Sequence, residues 1–107
     1  MRRAYARAEL VDQFPVFGDD GFTKVGGLTA DAFRITVYRD AELAPSVVDV
    51  VEIAGSSGEY RLAFRPDAPG IWEVEIAYLA GRQVYAEQYD VVEPVVVGSS
   101  RDRKSVV

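Results

Sequence analysis

The residue types able to do chemistry in this chain are carboxylates, hydroxyls and a few glycines. Glu73 and Glu75 come first. Two apart on an alternating run, they share one face of a strand at about 7 Å, within the spacing of the acid and base of an inverting glycosidase. That chemistry needs one carboxyl with a raised pKa, and the flanking residues offer nothing to raise it. The simpler reading is a solvated strand face with Arg61 or Arg65 opposite, where unlike charges favour pairing. Asp19-Asp20-Gly21 lacks the alternating oxygen ligands and distal Glu of a calcium loop and reads as a turn; Asp40 and Glu42 read as a polar loop. The chain has no histidine and no cysteine, which removes the commonest general base, the commonest transition-metal ligand and any thiolate or Cys/His zinc set. The serines have no base to activate them, and the only lysines are Lys24 and Lys104. Gly26-Gly27 is too short to cradle a phosphate, and no clear helix follows it. The expectation is a non-enzymatic chain with no metal and no cofactor.

The elements that would hold these residues alternate with period two. Phe33, Ile35 and Val37 alternate with Arg34, Thr36 and Tyr38. Tyr60, Leu62 and Phe64 alternate with Glu59, Arg61 and Arg65. Trp72, Val74, Ile76 and Tyr78 oppose Glu73 and Glu75. Each run has one dry and one wet face, as in a half-solvated antiparallel sheet. Residues 47–54 are dense in β-branched side chains and predict a more buried strand. Residues 83–92 place Tyr85, Tyr89 and Val91 on one side, and 94–97 predict a short last strand or an edge. Gly55 to Gly58, Pro66 to Gly70 and Ala80 to Arg82 supply the links, through positive φ at glycine and the missing N–H of proline. At the front, Ala4, Ala6, Ala8 and Leu10 alternate with Tyr5, Arg7 and Glu9, which favours a strand. Phe14 to Val25 predict a hairpin around Asp-Gly, and Thr29 to Ala32 predict one helical turn. Trp72, with Tyr60, Tyr78, Tyr85 and Tyr89, is in phase with the dry face and so predicts core packing rather than a sugar-stacking platform.

At 107 residues, 49% apolar and 27% charged, the chain is one ordinary globular domain. No apolar run reaches membrane-spanning length, and the start lacks the apolar stretch of a signal peptide, so synthesis in the cytoplasm without export is expected. The net charge of −5 is uneven. Half of the twelve basic residues lie in segments 1–8 and 98–107, which hold only Asp102 among seventeen acids; the remainder carries −10. An acidic body repels phosphate, so nucleic acid and membrane are not expected partners. Basic ends suit docking onto like subunits or an acidic neighbour.

The run Gly58-x-Tyr60-x-Leu62-x-Phe64-x-Pro66, then Pro69-Gly70-x-Trp72-x-Val74-x-Ile76-x-Tyr78 and Gly81, with Tyr89 and Val91 closing, resembles the second half of filamin-type immunoglobulin-like repeats. It covers about residues 58–92 and implies an all-β fold. The expectation is one immunoglobulin-like antiparallel β-sandwich of about seven strands with extended terminal arms: 1–12 an N-terminal arm or first strand, 13–97 the sandwich, 98–107 a flexible basic tail. A looser likeness of style, in Asp20-Gly21, Gly27-Leu28, Phe33 and Val37-Tyr38-Arg39-Asp40, resembles accessory structural proteins of tailed bacteriophages. It implies a virion component, of head, neck or tail, docking on neighbouring capsid, neck or tail subunits and homo-oligomeric within that assembly. The alternatives are a peptide-binding module acting by strand addition at 47–53 or 94–97 and, behind it, a carbohydrate-binding domain. Candidate interface residues are the basic Arg2, Arg3, Arg7, Arg101 and Arg103, the aromatic Tyr5, Phe17, Phe22 and Tyr38, and Val95 and Val97.

Overall fold

Alternation sets which side of each strand is dry, and the dry sides meet. The computed structural model describes residues 1–94 apart from 56 and 80. Among these, eight strands run in order: β1 (Arg2–Tyr5), β2 (Leu10–Pro15), β3 (Phe33–Arg39), β4 (Glu42–Leu43), β5 (Asp49–Glu52), β6 (Glu59–Phe64), β7 (Gly70–Tyr78) and β8 (Arg82–Val92). They form a five-stranded sheet, β1-β8-β7-β3-β4, and a three-stranded sheet, β2-β6-β5. One 3-10 turn, Ala30–Ala32, precedes β3 as expected. The expected all-β sandwich is observed. Its pairing departs from purely antiparallel at one place, where β1 runs parallel to β8.

Tyr60, Leu62 and Phe64 of β6 face Trp72, Val74, Ile76 and Tyr78 of β7 across the sandwich, all buried. Phe14 of β2 stacks on Tyr60 at 5.9 Å and meets Phe33 edge-on at 5.8 Å. Each fully buried side chain of this size contributes about 1.5–3 kcal/mol, whereas an exposed ion pair contributes about 0–1 kcal/mol. The two facing rows therefore hold the fold, and the surface charges trim it.

The link at 65–69 leads from one sheet to the other, so β6 and β7 are not hairpin partners. Trp72 Nε1 donates to Ala68 O at 2.8 Å, Arg39 Nε to Pro69 O at 2.8 Å, and Ile71 N to Asp40 Oδ1 at 2.9 Å. Gly70, at φ +145, sits where an added Cβ would lie 3.0 Å from the Asp40 carboxylate.

Three expectations are corrected. The alternation across residues 4–10 is not one strand: the chain turns at Arg7, with φ 69, and β1 and β2 enter different sheets. Residues 47–54 are not a buried strand. Only 49–52 pair, β5 is the edge of its sheet, and Val50 is buried while Val47 and Val51 are exposed. Third, Glu73 and Glu75 lie opposite Tyr38 and Thr36 on one side and Gln88 and Ala86 on the other. Arg61 and Arg65 belong to the other sheet or its exit, and Arg65 donates instead to Arg7 O.

Candidate functional site

The N-terminal basic residues are engaged within the chain. Arg2 pairs with Asp12 at 2.6 Å, Arg3 with Asp90 at 3.8 Å, and Arg7 with Glu93. The first segment is thus a strand laid on the acidic body rather than a free arm. Tyr5, between these pairs, is half exposed. Val95, Val97, Arg101 and Arg103 lie outside the described residues, as do the tail at 98–107 and all but Pro94 of the short strand expected at 94–97.

Phe17 and Phe22 sit on the expected hairpin, where Gly18 N donates to Thr23 O at 2.7 Å and Phe17 bridges Lys24. Asp20 caps its tip, accepting from the N–H groups of Phe22 and Thr23 at 3.0 and 2.8 Å and from the Thr23 hydroxyl. These bonds, led by that from the Thr23 hydroxyl, hold the Asp20 carboxyl below its usual pKa. Its oxygens are spent on a turn, as the Asp-Asp-Gly spacing indicated. Phe22 is largely exposed. Phe17 and Arg82 share the lining of a cavity of about 300 Å³ at this end, so the hairpin lies against the start of β8. Tyr38 is half-buried on the outer face of the larger sheet, far from the hairpin in sequence and on another strand.

Glu73 and Glu75 do share a face. The bond between their carboxyls, then burial and the Glu73 charge, raise the Glu75 pKa, which corrects the expectation that nothing nearby would do so. Both lie at the surface, and among the described residues no three acidic side chains are grouped to hold a metal.

Asp12 is the group that sequence reasoning missed. It lies in phase with Leu10 and Phe14 on the inward face of β2, and that phase was the available signal. Its Oδ2 accepts from Tyr85 OH at 2.7 Å, Tyr89 OH at 3.1 Å and Arg2 at 2.6 Å. The two tyrosine hydroxyls also bond each other, and the Arg2 guanidinium lies 5.6 Å over the Tyr89 ring. Burial pushes the Asp12 pKa up. The bonds from Tyr85 and the Gln13 N–H, the Arg2 charge and the Tyr89 bond outweigh it and hold it below normal. Burial first, and then the neighbouring hydroxyl and carboxylate, push Tyr85 far up. The cluster ties β1, β2 and β8 together.

The arrangement best fitted to receive something is an edge. β4 covers only Tyr38 and Arg39 of β3, with Ala44 N donating to Val37 O at 2.8 Å. Since β-strand geometry repeats every two residues, Ile35 aims its N–H and C=O the same way, at an edge where it has no strand partner among the described residues. Beside it is a groove of about 280 Å³ lined by Ile35, Thr36, Val37, Leu43, Pro45 and Ser46. Leu43 of its lining stands exposed.

No family model and no curated protein matches the sequence. Among solved structures, the crystal structure of the Lin-41 filamin domain matches with a TM-score of 0.63 at 14% identity, covering 87% of this chain and 85% of that one. The fold is a filamin-type immunoglobulin-like sandwich. At 87% of the chain, the fit extends beyond residues 58–92.

Proposed function

We propose that the chain is a non-enzymatic interaction module that takes an extended segment of a partner protein along the open edge of β3. The observation that carries this is the Ile35 backbone, without a strand partner at that edge among the described residues, beside an apolar groove. Main-chain bonds to an added strand supply affinity, and a groove for alternate side chains supplies selectivity. The partner we favour is a neighbouring subunit of a larger assembly such as a phage particle, a placing supported by the sequence likeness alone and checked by whether capsid, portal or tail genes flank the reading frame.

The test is selection of octapeptides from a displayed library, followed by NMR titration of the full chain. Binders are expected to shift the amides of Phe33 and Ile35 and to weaken about tenfold, or about 1.4 kcal/mol, with Leu43→Lys. Shifts confined to β1 and β8, or affinity indifferent to Leu43→Lys, refute the reading.

A further inference from the structure

We propose that β1 exchanges between two copies of the chain, giving a strand-swapped homodimer. Among the described residues β1 is a four-residue edge strand paired with β8 alone. Its Arg2, Arg3 and Tyr5 are exposed, and only Ala4 packs partly on the core. The backbone ladder with β8 holds it, and two exposed ion pairs add a little. Arg2 meets Asp12 and Arg3 meets Asp90, both carboxylates lying on other strands of an acidic body. A second copy offers the same edge and the same carboxylates. The seat is known to fit its occupant, because the chain's own β1 fills it.

The turn joining β1 to β2 is the hinge. Arg7 is held at φ 69, a left-handed conformation that side chains other than glycine adopt at a cost. The closed turn is kept by Ala8 N donating to Tyr5 O at 3.2 Å and Arg7 N to Pro66 O at 2.6 Å. The period-two pattern of Ala4, Ala6, Ala8 and Leu10 runs straight through it. That pattern belongs to a continuous strand, and the closed fold breaks it. Rotating Arg7 into the extended region relieves the left-handed backbone and turns residues 2–15 into one strand reaching across to a partner. The Ala6 N to Val92 O bond at 2.9 Å is remade between copies, as are the β1–β8 ladder and the ion pairs on β1. A short, strained hinge with otherwise identical contacts is the condition under which swapping is a low-cost route to a dimer.

The absence of native cysteine makes the test direct. Tyr5 and Val92 are register partners, and a Tyr5→Cys/Val92→Cys chain is oxidised over a range of concentrations. The closed form gives an intrachain disulfide and a monomer on a non-reducing gel. The swapped form gives a dimer whose peptide map joins position 5 of one chain to position 92 of another. The interchain fraction is expected to rise with concentration. Ala8→Pro removes the turn's N–H donor and drives Arg7 to extended backbone, and should raise that fraction about tenfold. Arg7→Gly should lower it severalfold relative to Arg7→Ala, which loses the Glu93 pair without relieving φ. Only intrachain disulfide at millimolar concentration in the parent chain overturns the proposal, as does a dimer whose disulfides are all intrachain. If Ala8→Pro does not fold, the parent and the Arg7→Gly/Arg7→Ala comparison decide alone.

Discussion

Replacing Asp12 by Ala removes the one acceptor shared by Tyr85, Tyr89 and Arg2. A hydrogen bond to a charged acceptor contributes about 1.5–3 kcal/mol. The two hydroxyls keep their bond to each other, so the losses do not add in full. The Arg2 side chain is 50% exposed, and its pair adds about 0–1 kcal/mol. The expected loss is about 2–3 kcal/mol, and for a domain of this size Tm falls by roughly 10–20 °C. Asp12→Asn keeps an acceptor oxygen but not the charge, and should lose about half as much. The folded-state pKa of Asp12 is held below its ordinary 3.8. Its contribution is therefore complete above the unfolded-state value and is lost as pH falls through the folded one. The gap between the natural chain and Asp12→Asn should close below about pH 4. Urea unfolding followed by the single tryptophan, Trp72, at neutral pH and near pH 2 measures both. An Asp12→Ala chain within about 0.5 kcal/mol of the natural one, or a gap that does not change with pH, would refute the reasoning.

Gly58→Ala should cost about 2–4 kcal/mol, since Gly58 lies at φ +76 and an added methyl meets Lys24 Cβ; Gly21→Ala, at φ +80 with open space around it, should cost only about 1 kcal/mol, and urea midpoints compare them. Trp72→Phe loses the bond to Ala68 O and part of a filled core, and should lose about 2–3 kcal/mol by circular dichroism. By NMR titration Glu75 should titrate above its ordinary 4.5 and fall back toward it in Glu73→Gln; a titration unmoved by that change removes Glu73 as the cause.

The dry rows at Tyr60–Phe64 and Trp72–Tyr78 were legible because each is a period-two run with large apolar residues, and burial follows phase. Which sheet each row joins was not. A proline- and glycine-rich link looks alike whether it closes a hairpin or crosses the sandwich, and that difference misplaced Arg61 and Arg65 opposite the Glu73–Glu75 pair. The β-branched run at 47–54 looked buried, yet only Val50 is, because density of Val and Ile does not say whether a neighbouring strand exists on both sides. Arg7 shows the limit most clearly. Nothing in an arginine announces a left-handed backbone; the turn there goes with the docking of Ala6 and the bonds Arg7 N to Pro66 O and Ala8 N to Tyr5 O. Asp12 was visible as an acid on an inward phase, but its hydroxyl partners lie more than seventy residues away. The β3 groove depends on how far β4 reaches, which is a tertiary matter.

The parallel pairing of β1 with β8 also orders events in time. Arg2 has Tyr89 as its register partner, so the first strand made must wait for almost the last. At about 5–20 residues per second of synthesis, that delay is roughly 4–17 seconds, long against the milliseconds to seconds in which sandwich domains fold. Throughout it the basic strand is exposed and unpaired, while neighbouring ribosomes on one message carry chains at later stages. The final β8 edge to appear is then offered to whichever β1 is nearer, its own or that of an adjacent nascent chain.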